Sequence, residues 1–223
     1  DHSHQIRDRI MPDRIHNFAH NNEWLTRNLS QAGRVRRALA MAKNMIELPR
    51  LPNVKTDGTW SFPSRSSHSY GRRHLYAILT GYELWNEIIK LKDTHYLLPG
   101  KSAAEKAKYW RLLACAYINT DRPEEGKTLL AKMGSLLNSQ REGKIKAGAT
   151  AEAKAKKEKK KTRDIKKAKS DAERPYSTAI STLERGLAEA RMYLALKTKN
   201  LEEAKAQYSK VRDLRSERKA LLQ

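Results

Sequence analysis

His16 and His20 stand four residues apart, with His2 and His4 upstream and Asp13 close by. Two imidazoles at that spacing share one helix face and can bind a divalent metal. A metalloprotease motif also needs a Glu beside the first His, and position 17 is Asn. The pair therefore reads as surface or packing histidines, and neither a metal nor another cofactor is expected. Cys115, the one cysteine, lies among Leu112, Leu113 and Tyr117 with no basic neighbour or helix start to lower its pKa. It reads as a small core residue, and it excludes an internal disulfide. The run from Arg65 to His74 gathers basic groups, hydroxyls and Gly71 at an expected helix start, where a phosphate or carboxylate could be held. No Gly-rich phosphate loop, CxxC, HExxH or nucleophile elbow occurs, so no catalytic residue is expected.

The strongest compositional signal is charge. The 223 residues carry a formal net charge of +21, which favours anionic partners: nucleic acid, anionic lipid or an acidic protein. Much of it sits in residues 144–169, which hold 12 Lys/Arg and 3 Asp/Glu. Lys154, Lys157, Lys160, Lys161, Arg163 and Lys167 are the candidate anion contacts. The segment has no aromatic residue for base stacking, far more Lys than Arg, and no apolar face for membrane insertion. It reads as an electrostatic docking segment or a solvated helical arm.

The elements that must carry these residues are helices. Gly and Pro are scarce, 10 and 7 in the chain, which argues for long helices over many short strands. Asp13 is expected to cap a helix reaching about Ala32, with Ile15, Phe18, Leu25 and Leu29 on its apolar face, and Gly33 to end it. Arg34 to Leu48 follows, with Val35, Leu39, Ala42, Met45 and Ile46 facing inward. Pro49 and Pro52 open a long loop over 49–68, in which Trp60 is expected to act as an anchor. A second hairpin spans about 70–80 and 83–92. Ser102 and Glu105 form a capping box for a helix to about Asn119. Asp121 should cap the next, with Pro123 in its first turn. Tyr176, Ile180, Leu183, Leu187, Ala190 and Leu194 make a heptad seam. Leu201, Ala204, Tyr208 and Val211 should continue it in a final helix capped by Asn200. Trp24, Trp85 and Trp110 are expected in the core. No stretch of 18 apolar residues occurs, so no transmembrane helix is expected.

Three stretches share a two-helix pattern: 24–49, 109–133 and 190–211. In the middle one Trp110, Leu113, Ala114, Tyr117 and Gly126 fall at the spacing of the tetratricopeptide repeat, with Leu130 where an aromatic is usual. The chain resembles that family over roughly half its length. The resemblance implies a superhelical array whose groove, lined by the first helix of each hairpin, holds a peptide or protein. Candidate groove contacts are Asn28, Arg72, Arg73, Arg111 and Tyr117.

The expected fold is thus all-α: stacked antiparallel helical hairpins of tetratricopeptide kind, a long Lys-rich helix or arm, and a C-terminal helical hairpin. The expected boundaries are a polar lead-in at 1–12, a repeat array at 13–138, the Lys-rich arm or linker at 139–174 and the hairpin at 175–223. A start without Met and an end inside a helical pattern read as a piece of a longer chain. The expected function is a non-enzymatic protein–protein interaction scaffold. The alternatives are a basic nucleic-acid- or ribosome-associated protein working through 144–169, and an inert accessory domain of a multidomain enzyme.

Overall fold

Glycine ends the first helix, as its backbone freedom allows, and the same turn then recurs without glycine. Gly33 lies at φ 71°, and the Arg34 amide returns to the Leu29 carbonyl at 2.9 Å. Glu83, Asp121, Lys159 and Lys199 occupy the same left-handed region at φ 50–59°. Each is followed by an amide bonded five residues back: Leu84 to Leu79, Arg122 to Tyr117, Lys160 to Ala155 and Asn200 to Ala195. A left-handed non-glycine residue costs about 1–2 kcal/mol, so tertiary contacts of the joined helices must outweigh that strain.

The computed structural model describes Asp13 and residues 17–50, 53–54, 60–61 and 65–220, with side chains to 213 except at 53–54 and 60–61. His2, His4, His16, the 1–12 lead-in, Ile15, Phe62 and the Trp60 ring lie outside that set. The described residues form eight helices: α1 (Phe18–Gln31), α2 (Val35–Glu47), α3 (Ser67–Gly81), α4 (Trp85–Leu91), α5 (Ala103–Asn119), α6 (Pro123–Lys157), α7 (Thr162–Lys197) and α8 (Leu201–Ala220). The described residues are all-helical apart from one antiparallel two-residue pair inside the 49–68 loop, β1 (Asn53–Val54) and β2 (Trp60–Ser61). None of the described helices is long and apolar enough to cross a membrane.

The chain divides after Leu97 into two units. In the first, α3 packs across α1 and α2. Its core is Ala38, Ala42, Met45 and Ile46 of α2, Leu75, Ile78 and Leu79 of α3, and Ile88, Leu91 and Leu97. Gly71 lets α3 approach α2: a Cβ there would stand 2.7 Å from the Ala42 carbonyl oxygen.

The expected apolar face of α1 is not its buried face. Trp24 and Leu25 are about half exposed, and the helix instead buries Ala19, Glu23 and Thr26. Glu23 can lie inward because α3 supplies it with the Arg73 guanidinium. Thr26 can because its hydroxyl donates to the Asn22 carbonyl oxygen at 2.7 Å. Nor does Asp13 cap α1. Its carboxylate accepts from the Ser67 amide at 3.0 Å and from the Ser67 hydroxyl, at the first turn of α3.

In the second unit, α5 lies against both α6 and α7, α8 lies against α7, and the most extensive contact is between α6 and α7. The Ser102/Glu105 capping box forms at the start of α5. Pro123 opens α6, and Asn200 accepts from the Glu203 amide at 3.1 Å. Asp121 does not cap α6. It occupies the left-handed turn position and accepts from Lys197 Nζ at 2.8 Å. The core is Leu112, Leu113, Cys115 and Ile118 of α5, Leu129, Met133 and Leu137 of α6, Leu183 and Leu187 of α7, and Ala204 and Val211 of α8. Trp85 and Trp110 are half-buried. Leu201 and Tyr208 turn outward, and Gln207 takes the inward position, its amide donating to Glu203. Ala204, Gln207 and Val211 form the buried stripe of α8.

Helix α6 runs for 35 residues, through position 138, and α7 for 36, through position 174, with Pro175 inside α7. The reason is local. Ala, Lys and Glu are good helix formers, and a seam of small residues lets the two helices meet over their whole length. Gly143 faces the Tyr176 ring, Gly148 faces Glu173, and Ala155 is buried. The one ring-locked residue at 175 removes a single hydrogen bond from a helix held by these contacts.

Candidate functional site

The distal halves of α6 and α7 are built differently from the rest of the second unit. Among the described residues, the hydrogen bonds and ion pairs made by the side chains of 144–175 join α6 to α7 or stay within one helix or its turn. Glu152 receives Lys156 at 2.6 Å and Lys169 at 3.1 Å, so one carboxylate clips the two helices together. These two ammonium groups hold it below the usual carboxylate range. Lys160 pairs with Glu158 at 2.8 Å.

All ten Lys and Arg side chains between 154 and 169 are exposed. Of the six candidate anion contacts, Lys160 is engaged by Glu158. Lys154, Lys157, Lys161, Arg163 and Lys167 make no ion pair among the described residues. The two-helix rod therefore presents cations from α6, from the turn at Lys159–Lys161 and from α7 at once. Only Ile145 among its large apolar side chains is strongly exposed, at 71%.

The five candidate groove contacts fall in both units. Asn28, Arg72 and Arg73 belong to the first unit, and Arg111 and Tyr117 to the second. Asn28 is exposed on α1. Arg73 pairs with Glu23 and lies over the Tyr70 ring at 4.9 Å. Arg111 points inward and donates to Glu189 of α7 at 2.6 Å. The Arg122 guanidinium covers the Tyr117 ring at 4.7 Å. Cys115 is buried. His20 bonds Glu23 at 3.1 Å, and its ring meets that of Trp24 in a tilted contact at 4.6 Å. Among the described residues, no group of three His, Cys, Asp or Glu side chains is placed to hold a metal ion.

Two further features were not read from the sequence. One is a trough of about 650 Å³ on the second unit, lined by Leu137, Arg141, Glu184, Leu187, Ala188 and Gln207 among others. It exists because α6 and α8 flank α7 without closing on each other, which no local sequence signal reports. The other is the Glu23 cluster. Burial pushes the Glu23 carboxyl up, but Arg73, His20 and His74 together outweigh it and hold it below its ordinary range. His74 Nε2 lies 3.6 Å from Glu23, too far for a hydrogen bond, and is buried without a hydrogen-bond partner among the described residues. The period Ala19, Glu23, Thr26 was the available sequence signal, obscured by the larger residues beside it.

The first α3 turn already holds an anion, the chain's own Asp13. Next to it, burial together with Arg50, Arg72 and His95 drops His68 to about 4. Burial also lowers His74. The His68 ring is neutral when folded, so between pH 6.5 and about 4 the unfolded chain binds more protons and stability rises with pH; the shift of His74 has the same sign. Glu23 acts in the same sense at lower pH, since its stabilisation is lost as pH falls through its depressed value. The melting temperature of the first unit should hold steady above pH 6.5 and fall toward about 4, and His68→Gln should flatten that slope. An equal slope in the variant would remove His68 as its source.

Comparison with protein-family models, curated proteins and solved structures returns no match.

Proposed function

We propose that this chain is a non-enzymatic interaction module, in which the helical units are the framework and the distal α6/α7 pair is an arm that docks on an anionic partner. One observation carries the reading: ten exposed cations stand on a helical pair whose own ion pairs engage only Lys156, Lys160 and Lys169 among them. Like charges at this density oppose helix formation, so their presence on a helical pair calls for a function that uses them. The recurring left-handed turn supports the finer description of the framework as an array of hairpins of tetratricopeptide kind.

The test compares two variants of the full chain on a heparin column. One carries Lys154, Lys157, Lys161, Arg163 and Lys167 changed to Gln. The other loses the same charge at Arg36, Arg37, Lys101, Lys106 and Lys108, all exposed and outside residues 144–169. The arm variant should elute at clearly lower salt than the control. Equal elution would mean that only net charge matters and would sink the reading.

The trough beside Leu187 favours a second reading, a scaffold that holds a segment of a partner protein. On that reading amide exchange over Gln207–Asp213 slows when the partner is added, and unchanged exchange there removes it.

A further inference from the structure

We infer that the arm docks on the phosphate backbone of a nucleic-acid duplex, without reading its sequence. This rests on the arm being the docking element and adds the class of partner. Four observations separate a duplex from the other anionic partners.

The first is length and rigidity. From Gly143 to Lys157, α6 rises about 22 Å. Its cations are held in register with those of α7 by the Gly143–Tyr176 and Gly148–Glu173 contacts and by the Glu152 clip. A duplex carries one phosphate per about 1.7 Å of axis, so a rod of that length faces a line of comparable charge density. The second is the absence of an apolar stripe. Beyond Ile145 and the half-buried Ile165, the segment 144–169 has no large apolar side chain, whereas an interfacial membrane helix needs a continuous one. The third is the absence of aromatic residues in the segment. Protein interfaces draw affinity from buried aromatic and Arg anchors, and single-strand binders stack bases on aromatic rings. The fourth is the choice of cation. From 154 to 169 the segment has nine Lys and one Arg. Ammonium groups on flexible stems neutralise phosphates as point charges, while paired contacts to guanine edges favour the planar guanidinium. Each observation removes one alternative, and a duplex backbone satisfies all four.

The experiment is fluorescence anisotropy of the full chain with labelled duplexes of about 20 base pairs and unrelated sequences, titrated with salt. Wild type should bind all sequences alike, with log affinity falling linearly against log salt by about 0.9 for each phosphate neutralised. Lys154, Lys157, Lys161, Arg163 and Lys167 changed to Gln should make that slope shallower by about 4 and abolish binding at moderate salt. The variant with the four lysines changed to Arg should keep both slope and affinity. The control without Arg36, Arg37, Lys101, Lys106 and Lys108 should keep the slope. Circular dichroism confirms that each variant is folded. Two probes separate the alternatives: vesicles of phosphatidylserine and phosphatidylcholine, and polyglutamate. If the arm substitutions weaken binding to either probe but leave the duplex slope unchanged, the duplex inference is overturned and the docking reading stands. If they change nothing on any probe, both are overturned. Strong preference for one sequence, or for single strands, also overturns the inference.

Discussion

Arg111→Ala is expected to destabilise the second unit by about 3–5 kcal/mol. Arg111 Nη1 meets Glu189 Oε2 at 2.6 Å, with side chains only 18% and 15% exposed. Burial by itself would disfavour the charged guanidinium. Glu189, with smaller help from Cys115 and Tyr193, outweighs that and holds Arg111 above its ordinary pKa. Helix α7 also comes close along the stem: a Cβ on Gly186 would stand 3.2–3.4 Å from three Arg111 carbons. Truncation therefore leaves a carboxylate buried without its partner, together with a gap beneath α7. Two comparisons check this cause. Arg141→Ala breaks the Arg141–Glu184 pair, whose side chains are 53% and 29% exposed. Water already screens that pair, and its loss should cost less than about 1 kcal/mol. Arg111→Met combined with Glu189→Leu removes both charges and should restore stability to within about 1–2 kcal/mol of wild type. Hydrogen exchange of the α5 and α7 amides in the full chain reads all three. Equal losses at Arg111 and Arg141 would contradict the buried-pair account.

Gly71→Ala should destabilise the first unit by about 1–2 kcal/mol, while the same change at Gly134 should stabilise the second by about 0.5–1 kcal/mol. In an exposed helix interior Ala is better than Gly by about 1 kcal/mol, because it restricts the unfolded chain. That gain applies at Gly134, where a Cβ would meet nothing within 4 Å. At Gly71 a Cβ would stand 2.7 Å from the Ala42 carbonyl oxygen, 2.9 Å from Met45 Cβ and 3.0 Å from Ile46 Cγ1. The nearest atom is backbone, so α2 or α3 itself must move. Overpacking of that kind costs about 1–3 kcal/mol and exceeds the propensity gain. Calorimetry on the full chain gives the sign for each variant. A stabilising Gly71→Ala would mean that the two helices have room to separate.

Neither effect could have been read from the sequence, since both depend on what lies opposite. Gly71 and Gly134 look alike in their helices, and Arg111 looks like a groove contact until Glu189, 78 residues on, comes beneath it. The Lys-rich segment is different. Its charge, its lack of aromatics and its helix-forming composition are all local, and they were legible as such. That the segment is the joined tips of α6 and α7, with cations from both helices on one rod, was not.

The sequence by itself determined the helices, several of their ends and the charge. Gly33, the Ser102/Glu105 box, Pro123 and Asn200 act through neighbours within one turn, so their types and spacing suffice. The tertiary structure decided which faces are buried. Glu23 goes inward on α1 while Trp24 stays half exposed, and Gln207 goes inward on α8 while Tyr208 points away. Hydrophobic periodicity could not foresee either. Glu23 is buried because Arg73, far along the chain, offsets its desolvation. Which face of a helix turns inward is thus set in part by residues on the helix opposite.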